Sequence, residues 1–205
     1  MKLYYAPGAC SLSPHIVAVE AGLPLEYEKV DLKTHKTESG EDYYAVNPKG
    51  YVPALRLDDG SVLTEGPAIV QFLADQKPDS RLAPANGTIA RYRLQEWLTF
   101  IGTELHKQFV PIIGGKGTPE AQQEARDKIS KRFAYADAKL AGHSYLLGED
   151  FTAADAYLFV MLTWAKAFKI DFAKLANLSA FFERVSKRPK VQETLKSEGV
   201  QDRAA

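Results

Sequence analysis

The chain has 205 residues, of which 45% are hydrophobic and 25% charged. Its 26 Lys and Arg residues balance its 26 Asp and Glu residues, so charge gives no reason to expect nucleic acid or an anionic membrane as a partner. The single cysteine, Cys10, excludes an internal disulfide and a cysteine-based metal cluster, and no metal site is predicted.

The uncharged apolar stretch from Ala156 to Ala165 is about ten residues long, well below the roughly 20 that span a bilayer. The first residues lack the apolar core of a signal peptide, and a lone cysteine fits a reducing compartment. We therefore expect a cytoplasmic protein with no membrane or nucleic-acid partner.

Residues 1–78 alternate between short apolar runs and helical patterns. The predicted elements are, in chain order, a strand at 2–5, a helix at 11–21, a strand at 25–30, a hairpin at 55–57 and 61–63, and a helix from Pro67. Short strands need helices to cover their faces, so this order predicts a small mixed α/β domain.

Residues 79–86 are rich in helix breakers and are interpreted as a linker, and residues 87–205 are helical throughout. Apolar residues at helical spacing mark the first two helices of this all-helical domain: Leu94, Trp97, Leu98, Ile101 and Leu105, then Ala125, Ile129, Phe133, Ala136 and Leu140. Thr118 is the predicted N-cap of the second. Thr152 and Asp155 form a capping-box pattern that we assign to folding.

Cys10 lies between the first predicted strand and the helix predicted from Ser11. Unpaired backbone N–H groups and the helix dipole stabilise a thiolate at such a position. The alternative is a small buried residue, which is a common role for a free cysteine. The position alone leaves both interpretations open.

Two further segments suggest a binding site for a peptide. Val52-Pro53 precedes a strand, where a cis bond would leave the Val52 backbone free to pair with an extended peptide; an ordinary loop proline is the alternative. Glu65 and Gly66 begin a helix. The helix N–H groups suit a carboxylate and the Glu65 side chain suits an ammonium group, although simple helix capping explains the pattern equally well.

In order, five segments resemble the bacterial beta class of glutathione transferases. They are residues 4–11 around Cys10, 47–55 (NPKGYVPAL), 63–69 (LTEGPAI), 104–107 (ELHK) and 148–155 (GEDFTAAD). The resemblance covers essentially the whole chain, and it implies a thioredoxin-like domain followed by an all-helical domain.

The resemblance implies that glutathione is a co-substrate and that no other cofactor is needed. Val52 would pair with its cysteinyl unit, Glu65 and Gly66 would hold its γ-glutamyl end, and Cys10 would lie against its sulfur. His106 would be the second catalytic residue. The expected glutathione-binding set is Cys10, His35, Val52, Glu65, Gly66, Thr99, Thr103, Glu104 and His106.

His106 also has an interpretation from helix geometry. On an ideal helix, Thr99, Thr103 and His106 share a face opposite the apolar stripe and would line a polar cleft. A neutral imidazole there can accept a proton from a thiol. A solvated surface histidine is the alternative that the residues alone favour.

Two positions depart from the family. His35 stands where the class usually carries a lysine for the glycine carboxylate, and Thr99 stands where it carries an asparagine. A histidine contact loses its charge above about pH 6.5 and predicts weaker glutathione binding, unless Lys33 or Lys36 replaces it.

Tyr5 and Ser11 correspond to residue types that bind the thiolate in other classes of the family. We interpret both, together with Lys107, as neighbours of the site that do not bind glutathione. Tyr5 sits at a strand end, and Ser11 is placed to cap the helix.

The predicted function is conjugation of glutathione to small hydrophobic electrophiles in detoxification, by a homodimer, with Phe109, Val110, Ile113, Tyr157 and Trp164 as pocket walls. Thiol-disulfide exchange or peroxide reduction through Cys10 is a variant. The alternative from another class is a non-catalytic protein that binds glutathione or hydrophobic molecules.

Overall fold

The computed structural model describes residues 1–115 and 117–203. Their strands are β1 (Lys2–Tyr5), β2 (Glu26–Asp31), β3 (Lys36–Thr37), β4 (Ala54–Arg56) and β5 (Val62–Thr64). Their α-helices are α1 (Leu12–Ala21), α2 (Tyr43–Val46), α3 (Gly66–Asp75), α4 (Ile89–Phe100), α5 (Pro119–Leu140), α6 (Ala153–Ala167), α7 (Ala176–Ser186) and α8 (Pro189–Ser197). None of the helices in this part of the chain combines the length and apolar character needed to cross a membrane.

The five strands form one mixed sheet in the order β3-β2-β1-β4-β5. β1 pairs parallel with β2 and antiparallel with β4, so β1 lies at the centre. Strand alternation sends Leu3 to the face covered by α1 and α3, and Tyr4 to the face covered by α2. The predicted α/β arrangement is confirmed, and the two elements missed, β3 and α2, are too short to show a period.

The helical domain is the predicted second half of the fold. Every residue of the two predicted apolar stripes is buried, and the Thr118 hydroxyl accepts a hydrogen bond from the Ala121 N–H as an N-cap does. One buried cluster runs from Leu3 and Ile16 of the sheet domain to Phe159 of α6, so the two domains share a core. The exact domain limits predicted above stay a prediction.

Polar contacts reinforce the junction between the domains. The Arg91 guanidinium of α4 binds the Asp75 carboxylate of α3 through two nitrogens, at 2.7 and 2.8 Å. The Arg188 guanidinium binds the Glu20 carboxylate of α1 in the same two-pronged way, at 2.6 and 2.9 Å. Paired, charge-assisted bonds of this kind hold orientation as well as distance.

The capping box at the start of α6 is present as predicted. The buried Asp155 carboxylate accepts bonds from the Leu146 N–H at 2.8 Å, the Thr152 N–H at 2.8 Å and the Thr152 hydroxyl at 2.6 Å. It therefore joins the preceding loop to the first turn of the central helix.

We expect Asp155→Ala to lower the free energy of unfolding by about 3 kcal/mol, because it leaves two buried N–H groups without an acceptor. Urea denaturation measures the loss. Asp150→Ala is the matched control, since that exposed carboxylate only approaches Arg81 at 3.9 Å and its removal should cost less than about 0.5 kcal/mol. Equal stability of the two variants would contradict the assignment.

Candidate active site

Cys10 lies in a tight turn that joins β1 to α1. The Ser11 hydroxyl closes the turn: it donates to the Ala6 carbonyl at 3.2 Å and accepts from the Ala6 N–H at 3.1 Å. Ser11 is fully buried and makes no capping bond to α1. The predicted capping role is therefore wrong, because the hydroxyl is already used across the turn.

The helical domain holds this turn from the other side. The Gly8 N–H donates to the Glu198 carboxylate at 2.8 Å, and the Trp164 indole N–H donates to the Gly8 carbonyl at 2.8 Å. Glu198 also binds the His15 ring at 2.7 Å. Glu198, which follows α8, and Trp164 of α6 thus fix the backbone that leads into Cys10.

The Cys10 thiol donates a hydrogen bond to the Val52 carbonyl at 3.2 Å. Burial raises the pKa of this thiol to about 12, and the nearby backbone N–H groups and the Lys107 charge lower it only in part. The backbone N–H groups at the helix start favour the thiolate, but burial has the larger effect. Desolvation outweighs the helix, whose first residue is Leu12 rather than Ser11.

Two side-chain hydrogen bonds hold the segment before Val52 in place. The Tyr43 hydroxyl and the Asn47 side-chain amide both donate to the Tyr51 carbonyl, each at 2.7 Å. The Val52-Pro53 bond is cis, one of the two alternatives that the sequence left open. These contacts bring the Val52 carbonyl to the Cys10 thiol, so the peptide-pairing backbone and the cysteine occupy one site.

Glu65 occupies the N-cap position of α3 with a φ of 71°, a left-handed conformation that is uncommon for residues other than glycine. Its side chain makes no capping bond, so the capping interpretation is wrong. Instead the carboxylate lies 2.6 Å from the Lys49 ammonium, which also donates to the Thr64 hydroxyl at 3.0 Å. An ammonium group on a ligand would compete with Lys49 for this carboxylate.

His106 follows an irregular stretch of helix. After α4 the chain makes a π-helical segment, Ile101–Leu105, and then a 3-10 turn, His106–Phe109. The ideal helix used to place His106 on the face of Thr99 and Thr103 is therefore wrong at this point. π-helical segments are frequent at functional sites because they turn side chains out of the regular spacing.

The His106 ring is held by two aromatic residues of α6. Its Nδ1 lies 2.6 Å from the Tyr157 hydroxyl, and its ring packs edge-on against Trp164 at 5.0 Å between centroids. Burial, helped by the Lys107 charge, lowers the pKa of His106 to about 4. The imidazole is neutral at physiological pH, and the charge of Glu65 acts on both His106 and Cys10.

Two family models match the chain: the glutathione S-transferase N-terminal domain over residues 8–76 and the C-terminal domain over residues 100–189. Glutathione S-transferase GstA of Escherichia coli O157:H7 is 46% identical over 200 residues, which cover 98% of this chain and 100% of the relative. The chain belongs to the glutathione S-transferase family.

Two solved structures place this transferase within the family. A sphingomonad glutathione S-transferase complexed with glutathione is 48% identical with a TM-score of 0.94, over 98% of this chain and all of that one. A bacterial beta-class glutathione S-transferase of Sphingomonas chungbukensis is 46% identical with the same TM-score and coverage. The predicted resemblance to the bacterial beta class is confirmed, as is the fold class.

The other residues predicted to bind glutathione on the helical domain of the transferase have local partners of their own. Thr99 and Thr103 are exposed, and the Thr103 hydroxyl donates to the Thr99 carbonyl at 2.9 Å. The half-exposed Glu104 carboxylate pairs with Arg132 at 2.8 Å. Their contact with glutathione stays a prediction.

His35, the first departure from the class, adopts a left-handed φ of 53° and stacks on Tyr44 with 4.5 Å between ring centroids. Its Nδ1 is buried and has no hydrogen bond within the described residues. A side chain added at Gly50 would meet both rings, so His35 lies beside the loop that leads to Val52. Lys33 and Lys36 are exposed nearby in sequence.

The Tyr5 ring packs against His15 and Tyr27, with 5.8 and 6.4 Å between ring centroids, and burial raises its pKa. Lys107 is exposed, and its charge lowers the pKa of both Cys10 and His106. The expectation that both are neighbours of the site stays a prediction.

The predicted pocket walls divide into two groups. Phe109, Tyr157 and Trp164 are buried in the core, whereas Val110 and Ile113 are exposed. A groove of about 720 Å³ on the helical domain, lined by Phe172 and Phe182 among others, includes neither Cys10 nor His106.

Sequence reasoning missed the roles of Lys49 and Glu198 and assigned Tyr157 and Trp164 only as walls. The partners of Tyr157 and Trp164 are 51 and 156 positions away, and Glu198 meets Gly8 across 190 positions. No local pattern reports such contacts. The Lys49–Glu65 pair had a signal in the sequence, because the two opposite charges lie on either side of a predicted hairpin that brings its ends together.

In the glutathione-free protein, we expect alkylation of Cys10 by iodoacetamide to rise steadily with pH and to show no plateau below about pH 10. Only the thiolate reacts, and burial raises the pKa of this thiol to about 12. Mass spectrometry follows the rate without ambiguity, because Cys10 is the only thiol. A plateau near pH 7 would show that the helix start governs the thiol after all.

Proposed function

We propose that this transferase binds glutathione extended along its sheet domain and transfers it, through the glutathione sulfur, to small hydrophobic electrophiles. One observation supports this above the others. The Val52 carbonyl, which would pair with the cysteinyl unit of glutathione, lies 3.2 Å from the Cys10 sulfur. A peptide paired at Val52 has its own thiol close to Cys10.

The ends of glutathione have matching groups on either side of that point. Glu65 and Gly66 would hold the γ-glutamyl end, with the ligand ammonium taking the carboxylate that Lys49 now occupies. His35 would approach the glycine carboxylate, and Thr99, Thr103 and Glu104 would complete the cleft from the helical domain. The related sphingomonad enzyme was solved in complex with glutathione, which supports this assignment.

In the proposed mechanism, the nucleophile is the glutathione sulfur and not the Cys10 sulfur. With its pKa raised, Cys10 keeps its proton and can turn its S–H from the Val52 carbonyl to the glutathione sulfur. A hydrogen bond to the charged form lowers the pKa of the glutathione thiol. The thiolate then attacks the electrophilic carbon, a C–S bond forms, and the leaving group departs with its electron pair.

Thiol-disulfide exchange is a second proposed activity, favoured by the contact geometry of Cys10. Glutathione thiolate attacks a disulfide substrate, breaks its S–S bond and releases one thiolate, which leaves glutathione in a mixed disulfide with the substrate. The Cys10 sulfur then attacks the glutathione sulfur, the second substrate thiolate leaves with the Cys10 proton, and a Cys10–glutathione disulfide forms. No second cysteine exists in the chain to resolve it, so a second glutathione must do so. The non-catalytic alternative is not favoured, since the close relatives are named as transferases.

We expect Cys10→Ala to abolish disulfide exchange and to reduce conjugation of chlorodinitrobenzene by about tenfold, the effect of one hydrogen bond to a charged group. Cys10→Ser is the matched control: its hydroxyl restores the hydrogen bond and conjugation, but not exchange. Spectrophotometric assays of both reactions measure the split. Glutathione-dependent turnover of the wild type equal to the uncatalysed rate, across several electrophiles and disulfides, would overturn the enzyme assignment.

We also propose a cytoplasmic homodimer that serves in detoxification. Large apolar side chains are exposed on the loop before Val52 and on α4 and α5: Tyr51 is 70% exposed, Tyr92 58%, and Tyr135 46%. Apolar exposure on several elements is a feature of surfaces that bind another chain. A second copy is the proposed partner.

Light scattering at micromolar concentration should therefore give twice the 22.7 kDa mass of one chain. Tyr51→Arg should shift the protein toward the monomer, because a charge buried at an interface is costly. Leu32→Arg changes another exposed apolar residue and is expected to leave the dimer intact. A monomeric wild type, or equal effects of both variants, would contradict the proposal.

A further inference from the structure

We propose that Tyr157 is a positioning residue that holds His106 in the tautomer protonated on Nε2, so that His106 donates a hydrogen bond to the glutathione sulfur instead of accepting its proton. This inference rests on the proposed function, because it concerns the same thiol. It reverses the role expected for the histidine from sequence.

The first step is the fate of the Tyr157 hydroxyl proton. Tyr157 is only 3% exposed, and His106 Nδ1, at 2.6 Å, is the one hydrogen-bond partner of its hydroxyl within the described residues. If Nδ1 carried a proton and donated to the hydroxyl, the phenolic O–H would be buried without an acceptor. A buried donor without a partner is costly, so the phenol is the donor and Nδ1 the acceptor.

The second step is the protonation state of the two groups. Burial raises the pKa of Tyr157, so the phenol keeps its proton. Burial lowers the pKa of His106 to about 4, so the ring carries a single proton at neutral pH. With Nδ1 acting as the acceptor, that proton is on Nε2. The charged and titratable groups that act on this pair are Lys107, Glu65 and Cys10.

The third step is the direction in which Nε2 acts. Within the described residues, Nε2 has no hydrogen-bond partner and is not buried, so this nitrogen is accessible to solvent. Trp164 packs edge-on against the ring and binds Gly8, two residues before Cys10. Trp164 thus joins the His106 ring to the turn that carries Cys10, and the accessible Nε2 is the ring nitrogen left to act on a bound ligand.

The consequence is a site with two hydrogen-bond donors for one sulfur. The Cys10 S–H and the His106 Nε2–H both stabilise a thiolate, and neither has the capacity to take its proton near pH 7. The proton released by glutathione goes to solvent. The His106 N–H is oriented before the charge develops and lowers the pKa of the bound thiol, and the Cys10 S–H adds to this effect once it turns from the Val52 carbonyl.

The tautomer is measured directly by nitrogen-15 NMR of wild-type protein, in which His106 should show a protonated Nε2 and an unprotonated Nδ1. His106→Ala identifies the signals. A protonated Nδ1 in the wild type would overturn the proposal. This readout does not depend on turnover, so it stands apart from a failure of the proposed function, which would appear as no glutathione-dependent activity.

Kinetics test the consequence. Tyr157→Phe, which removes only the hydroxyl, should lower kcat/KM about tenfold and raise the apparent pKa of the glutathione thiol in the pH profile, with little change in the KM for glutathione. Tyr145→Phe is the matched control, since that buried hydroxyl binds Arg188 at 3.1 Å and its loss should leave the profile unchanged. An unchanged profile for Tyr157→Phe would contradict the positioning role.

Two substitutions of His106 distinguish the roles of its two ring nitrogens. The Gln amide reaches the place of Nε2 and can donate there, whereas the shorter Asn amide occupies the place of Nδ1. We expect His106→Gln to keep more conjugation activity than His106→Asn. The reverse order, with both variants folded by circular dichroism, would show that Nε2–H donation is not what the site requires.

Discussion

The proposed active site depends on two hydrogen bonds that cross from the helical domain to the Cys10 turn. Both backbone groups of Gly8 are engaged, the N–H by Glu198 and the carbonyl by Trp164, each at 2.8 Å and away from water. The indole of Trp164 also packs on His106 at 5.0 Å. One side chain thus positions the cysteine's backbone and the histidine's ring together. The site exists only when the two domains are docked, and their shared hydrophobic core provides the docking energy.

Desolvation then decides the chemistry of the groups so positioned. Burial raises the pKa of Cys10 to about 12 and lowers that of His106 to about 4, so both residues are neutral at physiological pH. Neutral polar groups that are partly shielded from water interact more strongly with a nearby charge than they do in bulk solvent. The site therefore suits a thiolate brought by the ligand better than one held by the protein. The exposed Lys107, which acts on both groups, adds a positive charge at the edge of this site.

Local sequence signals predicted the elements that have local causes. The Asp155 capping box and the apolar stripe from Leu94 to Leu105 stand as predicted, and the Val52-Pro53 bond is cis, one of the two alternatives that the sequence left open. Where a local signal was read without its surroundings, it failed. Ser11 stands at a helix start, but its hydroxyl binds the Ala6 backbone and not the helix. The regular helical spacing of α4 ends in a π-helical segment before His106.

The sequence alone determined the fold class, the family and the segments that meet at the site, because turn chemistry, hydrophobic period and motif order are properties of neighbouring residues. Only the tertiary structure decided the hydrogen-bond partners, the burial and the pKa values of those residues. The partners of Gly8 and His106 are 190, 156 and 51 positions away, and the pKa of Cys10 depends on how many protein atoms replace water around its sulfur. Burial and long-range pairing are set by the packed chain as a whole, so no local pattern encodes them.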